Sequence, residues 1–101
     1  MRLREDQIRI IKEQVARLFG QQAEVWLFGS RVDDRARGGG IDLMVTIPHT
    51  VGRPAFLAAS LAAQLERRLG GRRVDVVLVT PESPAQAIHQ IARQQGVMLW
   101  Q

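Results

Sequence analysis

Residues 26–43 constrain the fold most strongly, because two apolar segments flank a polar loop that opens with Gly-Ser and closes with three glycines. Residues 23–28 are apolar at nearly every position, which is typical of a strand covered on both faces. Gly29 allows a sharp turn directly after that segment. The second apolar segment, residues 41–47, carries a single carboxylate, Asp42. The pattern therefore predicts two strands of one sheet, with a turn after the first strand and a carboxylate near the start of the second.

The remainder of the chain predicts helices and further strands around this pair. Residues 5–19 are predicted to form an amphipathic helix, since apolar residues recur at helical spacing and Gly20 suits its C-terminal end. Residues 54–69 predict a second helix that begins with proline and ends before two glycines. The other predicted elements are a strand at 73–79, a helix at 85–94 and a strand at 97–100. The order α-β-β-α-β-α-β predicts an α/β fold, a small mixed sheet packed by helices, in a single domain over residues 1–101.

Composition excludes several classes of protein and favours phosphate or acidic partners. The 101 residues include no cysteine, so disulfides and thiolate metal sites are excluded. No apolar run approaches the roughly 20 residues that span a bilayer, and the N-terminus lacks the apolar core of a secretory signal, so we expect a cytoplasmic protein. The net charge is +4, and every basic residue except Lys12 is arginine, which contacts phosphate and carboxylate bidentately. Such a surface favours nucleotides, nucleic acid or an acidic protein, although no run of like charges marks a nucleic-acid arm.

Gly29, Ser30 and Arg31 form a candidate anion-binding turn at the end of the first strand. Successive backbone N–H groups in such a turn can point at one anion, and a helix N-terminus after it adds its dipole. Ser30 supplies a hydroxyl donor and Arg31 supplies positive charge. Because Gly and Ser are also ordinary turn residues, the turn gains meaning only from the carboxylates that follow it.

Asp42 and Asp75 are the candidate metal ligands. Each stands near the start of an otherwise apolar strand, where a carboxylate is costly to bury unless it is paired or bound to a metal. Two such carboxylates can converge on one side of a sheet, and oxygen ligands of this kind suit Mg²⁺ together with substrate phosphate and water. Two-metal phosphoryl or nucleotidyl transfer uses this geometry. For either residue alone the alternative is a solvated strand end, but the Gly-Ser turn at this spacing favours the metal site.

The combination resembles the minimal nucleotidyltransferases of the DNA polymerase β superfamily. The family pattern is Gly-Ser, nine or ten residues of which the first is Arg, Asp-x-Asp in an apolar strand, and a third Asp in a later strand. Phe-Gly-Ser-Arg at 28–31 matches the first element, and residues 31–39 give an allowed spacing. Asp42 matches the second carboxylate of the pair and Asp75 the third. The C-terminal Gln-Gln-Gly-Val-Met-Leu-Trp resembles the last strand of the family, so the resemblance covers essentially the whole chain.

Gly40 departs from the family pattern, because it occupies the position of the first Asp. Glycine has no side chain with which to bind a metal, so most metal affinity and the charge stabilisation it supplies are expected to be lost. Three interpretations remain open. Asp33 or Asp34 reaches in from the loop, Gly40 is an engineered replacement of a natural Asp, or the chain is a natural pseudoenzyme.

The resemblance implies transfer of AMP from ATP, with Mg²⁺, to an acceptor hydroxyl. Small members of the family commonly pair with a helical HEPN-type toxin, a ribonuclease, and act as its antitoxin by modifying it, binding it or both. In that scheme Gly29, Ser30 and Arg31 hold the triphosphate, and Asp42 and Asp75 hold the metal. A hetero-oligomer and a homodimer are both compatible with this role. The alternative is a non-catalytic binding module that neutralises a partner protein by complex formation, and direct nucleic-acid binding through the arginines is a third, weaker possibility.

Overall fold

The computed structural model describes residues 3–28, 40–84 and 97–100. In chain order the elements are α1 (Glu5–Phe19), β1 (Glu24–Phe28), β2 (Ile41–Thr46), α2 (Pro54–Arg68), β3 (Val74–Val79) and β4 (Val97–Trp100). The predicted α/β class and the predicted order of these six elements are confirmed, with boundaries that differ by at most one residue. The helix predicted at 85–94 lies outside the described residues.

Both helices follow from local sequence signals. At the start of α1 the Arg4 backbone N–H donates to Gln7 Oε1 at 2.9 Å, and Glu5 and Asp6 in the first turn favour the positive end of the helix dipole. The helix ends at Gly20, whose φ of 89° is one that side-chain-bearing residues rarely adopt. The second helix has proline in its first turn and two arginines in its last. Across the described residues, neither helix has the length and apolar character needed to cross a membrane.

The four strands form one mixed sheet in the order β3-β2-β1-β4. Strand β2 pairs antiparallel with β1 and parallel with β3, and β1 pairs antiparallel with β4. Strand β2 is therefore an inner strand, paired along both of its edges. In the register of the sheet, Asp42 of β2 lies between Phe28 of β1 and Asp75 of β3.

The core lies between one face of the sheet and the two helices. Ile11 and Val15 of α1 and Leu61 and Leu65 of α2 are fully buried or nearly so, as is Leu43 of β2. Burial of each side chain of this size contributes about 1.5–3 kcal/mol. Strand alternation places the residues next to Leu43 on the opposite face, so this packing fixes the face from which Asp42 projects.

Strand β3 is an edge strand of the sheet, and side chains accept hydrogen bonds from backbone N–H groups at both of its ends. The Glu66 carboxylate of α2 accepts from the Val74 backbone N–H at 2.9 Å. The Ser83 hydroxyl accepts from the Thr80 backbone N–H at 2.9 Å, and the Ser83 N–H donates to the Thr80 carbonyl at 3.0 Å. Caps of this kind shorten the length of edge that another strand can use.

Removal of the Glu66 cap is expected to destabilise the start of β3. Glu66→Ala leaves the part-buried Val74 N–H without its acceptor, so the free energy of unfolding should fall by about 1–2 kcal/mol in urea titrations. Glu82→Ala makes the same chemical change at an exposed position and serves as the control. Equal urea midpoints for the two variants would show that the cap contributes nothing.

Candidate functional site

The two predicted carboxylates lie side by side on neighbouring strands. Asp42 and Asp75 are direct register partners in the parallel ladder between β2 and β3, where strands are about 4.8 Å apart. Register partners in a sheet project from the same face, so both carboxylates lie on one side. The structure therefore brings together the two residues that the sequence singled out, while their role as metal ligands stays a prediction.

Because Asp42 and Asp75 lie side by side, the negative charges of their carboxylates repel each other. Burial is the main cause that raises the pKa of Asp42 above its ordinary value, and the charge and hydrogen bonding of Asp75 raise it further. The positive charge of Arg73 opposes this shift in the pKa of Asp42. The Arg73 Nε lies 3.6 Å from the Asp75 Oδ2, but both side chains are more than half exposed, so the ion pair is weak.

The raised pKa makes stability depend on pH at this site. The Asp42 carboxyl group binds its proton more tightly in the folded state than in the unfolded state, so ionised Asp42 lowers the free energy of unfolding at neutral pH. This loss disappears below a pH of about 3.9, the pKa of an aspartate in the unfolded chain. Asp42→Asn in EDTA is therefore expected to raise Tm at pH 7 and to leave it unchanged at pH 3. Asp6, whose pKa the Arg4 side chain lowers, is the control, and Asp6→Asn should not raise Tm at pH 7. A fall in Tm for Asp42→Asn at pH 7 would contradict the assigned repulsion.

Gly40 directly precedes β2, two residues before Asp42. A Cβ atom at this position would lie 3.2 Å from the Arg73 carbonyl oxygen and 3.6 Å from the Arg73 Cβ. Its φ is outside the left-handed region, so the backbone conformation does not require glycine. A side chain at position 40 therefore needs only a shift of a few tenths of an ångström in Arg73. By strand alternation it would share the face of Asp42.

The strand that precedes the predicted anion-binding turn ends beside Asp42, because Phe28, the last residue of β1, is the register partner of Asp42. Gly29, Ser30 and Arg31 lie outside the described residues, as do Asp33 and Asp34 of the loop. The role of Gly29, Ser30 and Arg31 in phosphate binding stays a prediction.

Among the described residues, Asp42 and Asp75 fit one divalent cation. No group of three potential metal ligands occurs in residues 3–28, 40–84 and 97–100. Two adjacent carboxylates, one with a raised pKa caused partly by the other, form an acidic pair whose repulsion a cation would relieve. Mg²⁺ commonly uses one or two protein carboxylates and completes its shell with phosphate oxygens and water. Asp42 and Asp75 would hold such an ion.

Arg73 is a residue near the site that the sequence alone did not single out. Its backbone carbonyl accepts from the Ile41 N–H at 2.8 Å, and its side chain reaches the carboxylate of Asp75. It also crowds the position that a side chain at residue 40 would occupy. The available signal was its spacing two residues before Asp75, which puts the two side chains on one face of a strand.

The parallel β2–β3 pair carries side by side the two carboxylates that the sequence pattern predicts for a nucleotide-transferring domain. The family model described as "Nucleotidyltransferase domain" matches residues 8–95. The chain belongs to this nucleotidyltransferase family. No curated protein sequence matches it significantly.

Solved structures share the fold. A chain of a toxin–antitoxin structure with AMP-PNP is 26% identical with a TM-score of 0.67, and the match covers 97% of this chain and 73% of that chain. A chain of the complex of the tri-AMPylated Shewanella oneidensis HEPN toxin with MNT antitoxin is 23% identical with a TM-score of 0.66, covering 97% and 72%. A putative nucleotidyltransferase from Sulfolobus solfataricus is 22% identical with a TM-score of 0.58, covering 96% and 85%. These matches show that the chain shares the fold of minimal nucleotidyltransferases.

Proposed function

We propose that the chain is the antitoxin of a HEPN-type toxin and neutralises it mainly by forming a complex, with its nucleotidyl-transfer activity impaired by Gly40. The observation that carries this proposal is the pair of Asp42 and Asp75 beside a glycine, within a fold shared with chains of toxin–antitoxin complexes. The fold and the acidic pair support nucleotide chemistry, and the missing carboxylate argues that this chemistry is slow.

The chemistry proposed for the site is transfer of AMP from ATP to a hydroxyl group of the toxin. The acceptor oxygen forms a bond to the α-phosphorus, the bond from that phosphorus to the bridging oxygen breaks, and pyrophosphate leaves. The hydroxyl proton passes to a carboxylate or to water. Gly29, Ser30 and Arg31 are proposed to hold the triphosphate, and Asp42 and Asp75 to hold Mg²⁺, which when bound supplies charge neutralisation.

The second candidate function is a pseudoenzyme that only binds its partner, and Gly40 favours it. Glycine leaves two of the three carboxylates of the family pattern, which fit a single cation at best. A binding-only antitoxin needs neither ATP nor metal.

Use of ATP as donor places the proposed reaction in the cytoplasm. We also propose that residues 1–101 act as one domain.

The test combines growth rescue with labelled nucleotide. Cells that express a HEPN-type ribonuclease toxin are co-transformed with this chain, and the purified pair is incubated with α-labelled ATP and Mg²⁺. The proposal expects growth rescue and a stable complex with little or no label on the toxin. Rescue with rapid labelling would show that Gly40 does not impair transfer, and failure to rescue or to bind any HEPN-type toxin would reject the antitoxin role.

A further inference from the structure

One solvent-exposed side of α2 lacks charged residues, as a surface that packs against another element does. No charged residue occurs between Pro54 and Leu65, and a helix that is apolar or uncharged all round is typically packed on more than one side. Leu61 and Leu65 face the core, whereas Phe56, Ala59 and Ala63 are exposed on the opposite side. We call these three exposed residues the α2 face. Phe56 is 56% exposed and is the most exposed large apolar side chain in the part of the chain that the structure describes.

A groove continues the α2 face toward the edge of the sheet. It has a volume of about 560 Å³ and lies between α2 and β3, with alanines and Glu66 on the helix side and Val74, Asp75 and Val76 on the strand side. Alanine side chains are short, so they allow the backbone of a second element to approach closely. The α2 face and the groove together form a shallow trough that is apolar except for the Glu66 and Asp75 carboxylates, with one large aromatic residue near its end. Glu66 already accepts from the Val74 N–H, so we expect the carboxylates of a docked partner to lie near the ends of the trough and not at its centre.

The capped edge of β3 argues against a strand as the occupant of this trough. Val74 and Thr80 already use their outward N–H groups on Glu66 and Ser83. Only the short stretch between these caps is left for main-chain pairing, and short edges are a common device against strand addition. A helix satisfies its own backbone hydrogen bonds and needs no free edge.

Charge argues against a second copy of the chain. Arg53 precedes α2 and stacks over the Phe56 ring at 4.6 Å, and Arg67 is exposed in the last turn of the same helix. Arg68, its neighbour, is held by Gln14 and Glu13 of α1, so Arg67 is the arginine available at that end. Two copies packed antiparallel through the α2 face would set Arg53 against Arg67, and a parallel pair would set each against itself. Either arrangement places like charges together.

We propose that the α2 face is the docking surface for an α-helix of an acidic protein partner. The partner helix lies in the trough against Ala59 and Ala63, and Phe56 packs on its apolar side. Carboxylates near its two ends contact Arg53 and Arg67, which are 14 residues apart and so separated by about 21 Å along a helix. Aromatic and arginine side chains are the residues that most often dominate such interfaces. The inference rests on the proposed function, because it identifies where the toxin of that function binds.

The test uses the HEPN-type toxin that the unaltered chain silences in the growth assay. Ala59→Arg is expected to weaken the affinity of the purified chain for the toxin at least about 100-fold, because a bulky charge enters the centre of the interface. Gln21→Arg adds the same charge at an exposed position after α1 and should leave the affinity unchanged. Arg53→Glu and Arg67→Glu should each weaken binding about tenfold, whereas Arg9→Glu, which makes the same charge change on α1, should not. Melting curves establish that each variant is folded.

The outcomes separate this inference from the antitoxin role. Silencing by the unaltered chain together with full toxin affinity of Ala59→Arg would overturn the docking surface and leave the antitoxin role intact. Absence of binding to any HEPN-type toxin would reject both. Loss of affinity in Val76→Pro but not in Ala59→Arg would identify strand addition instead. Sedimentation that shows a dimer of the unaltered chain, dissociated by Ala59→Arg, would identify a second copy as the occupant.

Discussion

Gly40→Asp is expected to convert this chain into an Mg²⁺-dependent nucleotidyltransferase. The new carboxylate joins Asp42 and Asp75, which already lie side by side, and completes the set of three that the family pattern contains. Loss of a single group that stabilises transition-state charge commonly costs 100-fold to 1000-fold, so restoration should raise the rate of AMP transfer at least about 100-fold. The measurement is incorporation of α-labelled AMP into the HEPN-type toxin with Mg²⁺ and with EDTA.

Gly40→Asn is the matched control for this change. Asparagine has nearly the volume of aspartate but carries no charge, so it should leave transfer at the level of the unaltered chain. Mg²⁺ binding, measured by calorimetry without toxin, should tighten for Gly40→Asp alone. Equal labelling by the aspartate and asparagine variants, at the level of the unaltered chain, would show that position 40 is not the missing ligand position.

The closest contact of a new side chain at position 40 is to one backbone atom. The φ of Gly40 is outside the left-handed region, and the nearest atom to a new Cβ is the Arg73 carbonyl oxygen at 3.2 Å, which needs to move by a few tenths of an ångström. Replacement of glycine also restricts the unfolded chain, which favours folding by about 0.4–1 kcal/mol. The added charge beside two carboxylates opposes that gain, and Arg73, the counter-ion of Asp75, partly relieves it. Melting curves of Gly40→Asp and Gly40→Asn establish whether each variant is folded.

The elements of the fold were predictable because their signals are local. Helical spacing with Gly20 at its end fixed α1, and apolar runs of strand length fixed β1, β2 and β3. The order in which the strands lie in the sheet was not predictable from these signals, since β3-β2-β1-β4 depends on how helices cross between strands. Boundaries differed by one residue where pairing partners, and not composition, decide the end of a strand.

The residue types of the candidate site and their spacing along the chain were predictable from the sequence. A carboxylate in an apolar strand is an exception that needs a physical reason, and two such exceptions identified Asp42 and Asp75. Their direct pairing depends on the register between β2 and β3, which the sequence does not encode locally. Arg73 and the α2 face were missed for a related reason. The pattern of residues 54–69 predicted a helix, but exposure of Phe56 and Ala59 depends on which side of that helix the sheet covers.

Leu43→Ala is expected to cause a large loss of stability. Leu43 is fully buried in β2, the inner strand, with Leu27 of β1 and Val76 of β3 as its register partners. Truncation of a buried leucine to alanine costs about 2–5 kcal/mol, because transfer energy is lost and a cavity remains between neighbours on both sides. A domain of this size has a free energy of unfolding of about 5–15 kcal/mol, so the variant retains only part of that stability. Urea unfolding followed by tryptophan fluorescence measures the change.

Leu78→Ala is the matched control, because it makes the same truncation in β3, where the leucine is only partly buried and packs against the core from the edge strand. Its cost should be less than half that of Leu43→Ala, since an edge position can relax toward solvent. Equal costs would show that β3 is packed as firmly as the inner strand. The packing of Leu43 also positions the candidate metal ligands. Leu43 follows Asp42 directly, so burial of the leucine in the core places the Asp42 carboxylate on the opposite face of the sheet, beside Asp75. A variant that loosens β2 should therefore lose Mg²⁺ affinity even in the Gly40→Asp background.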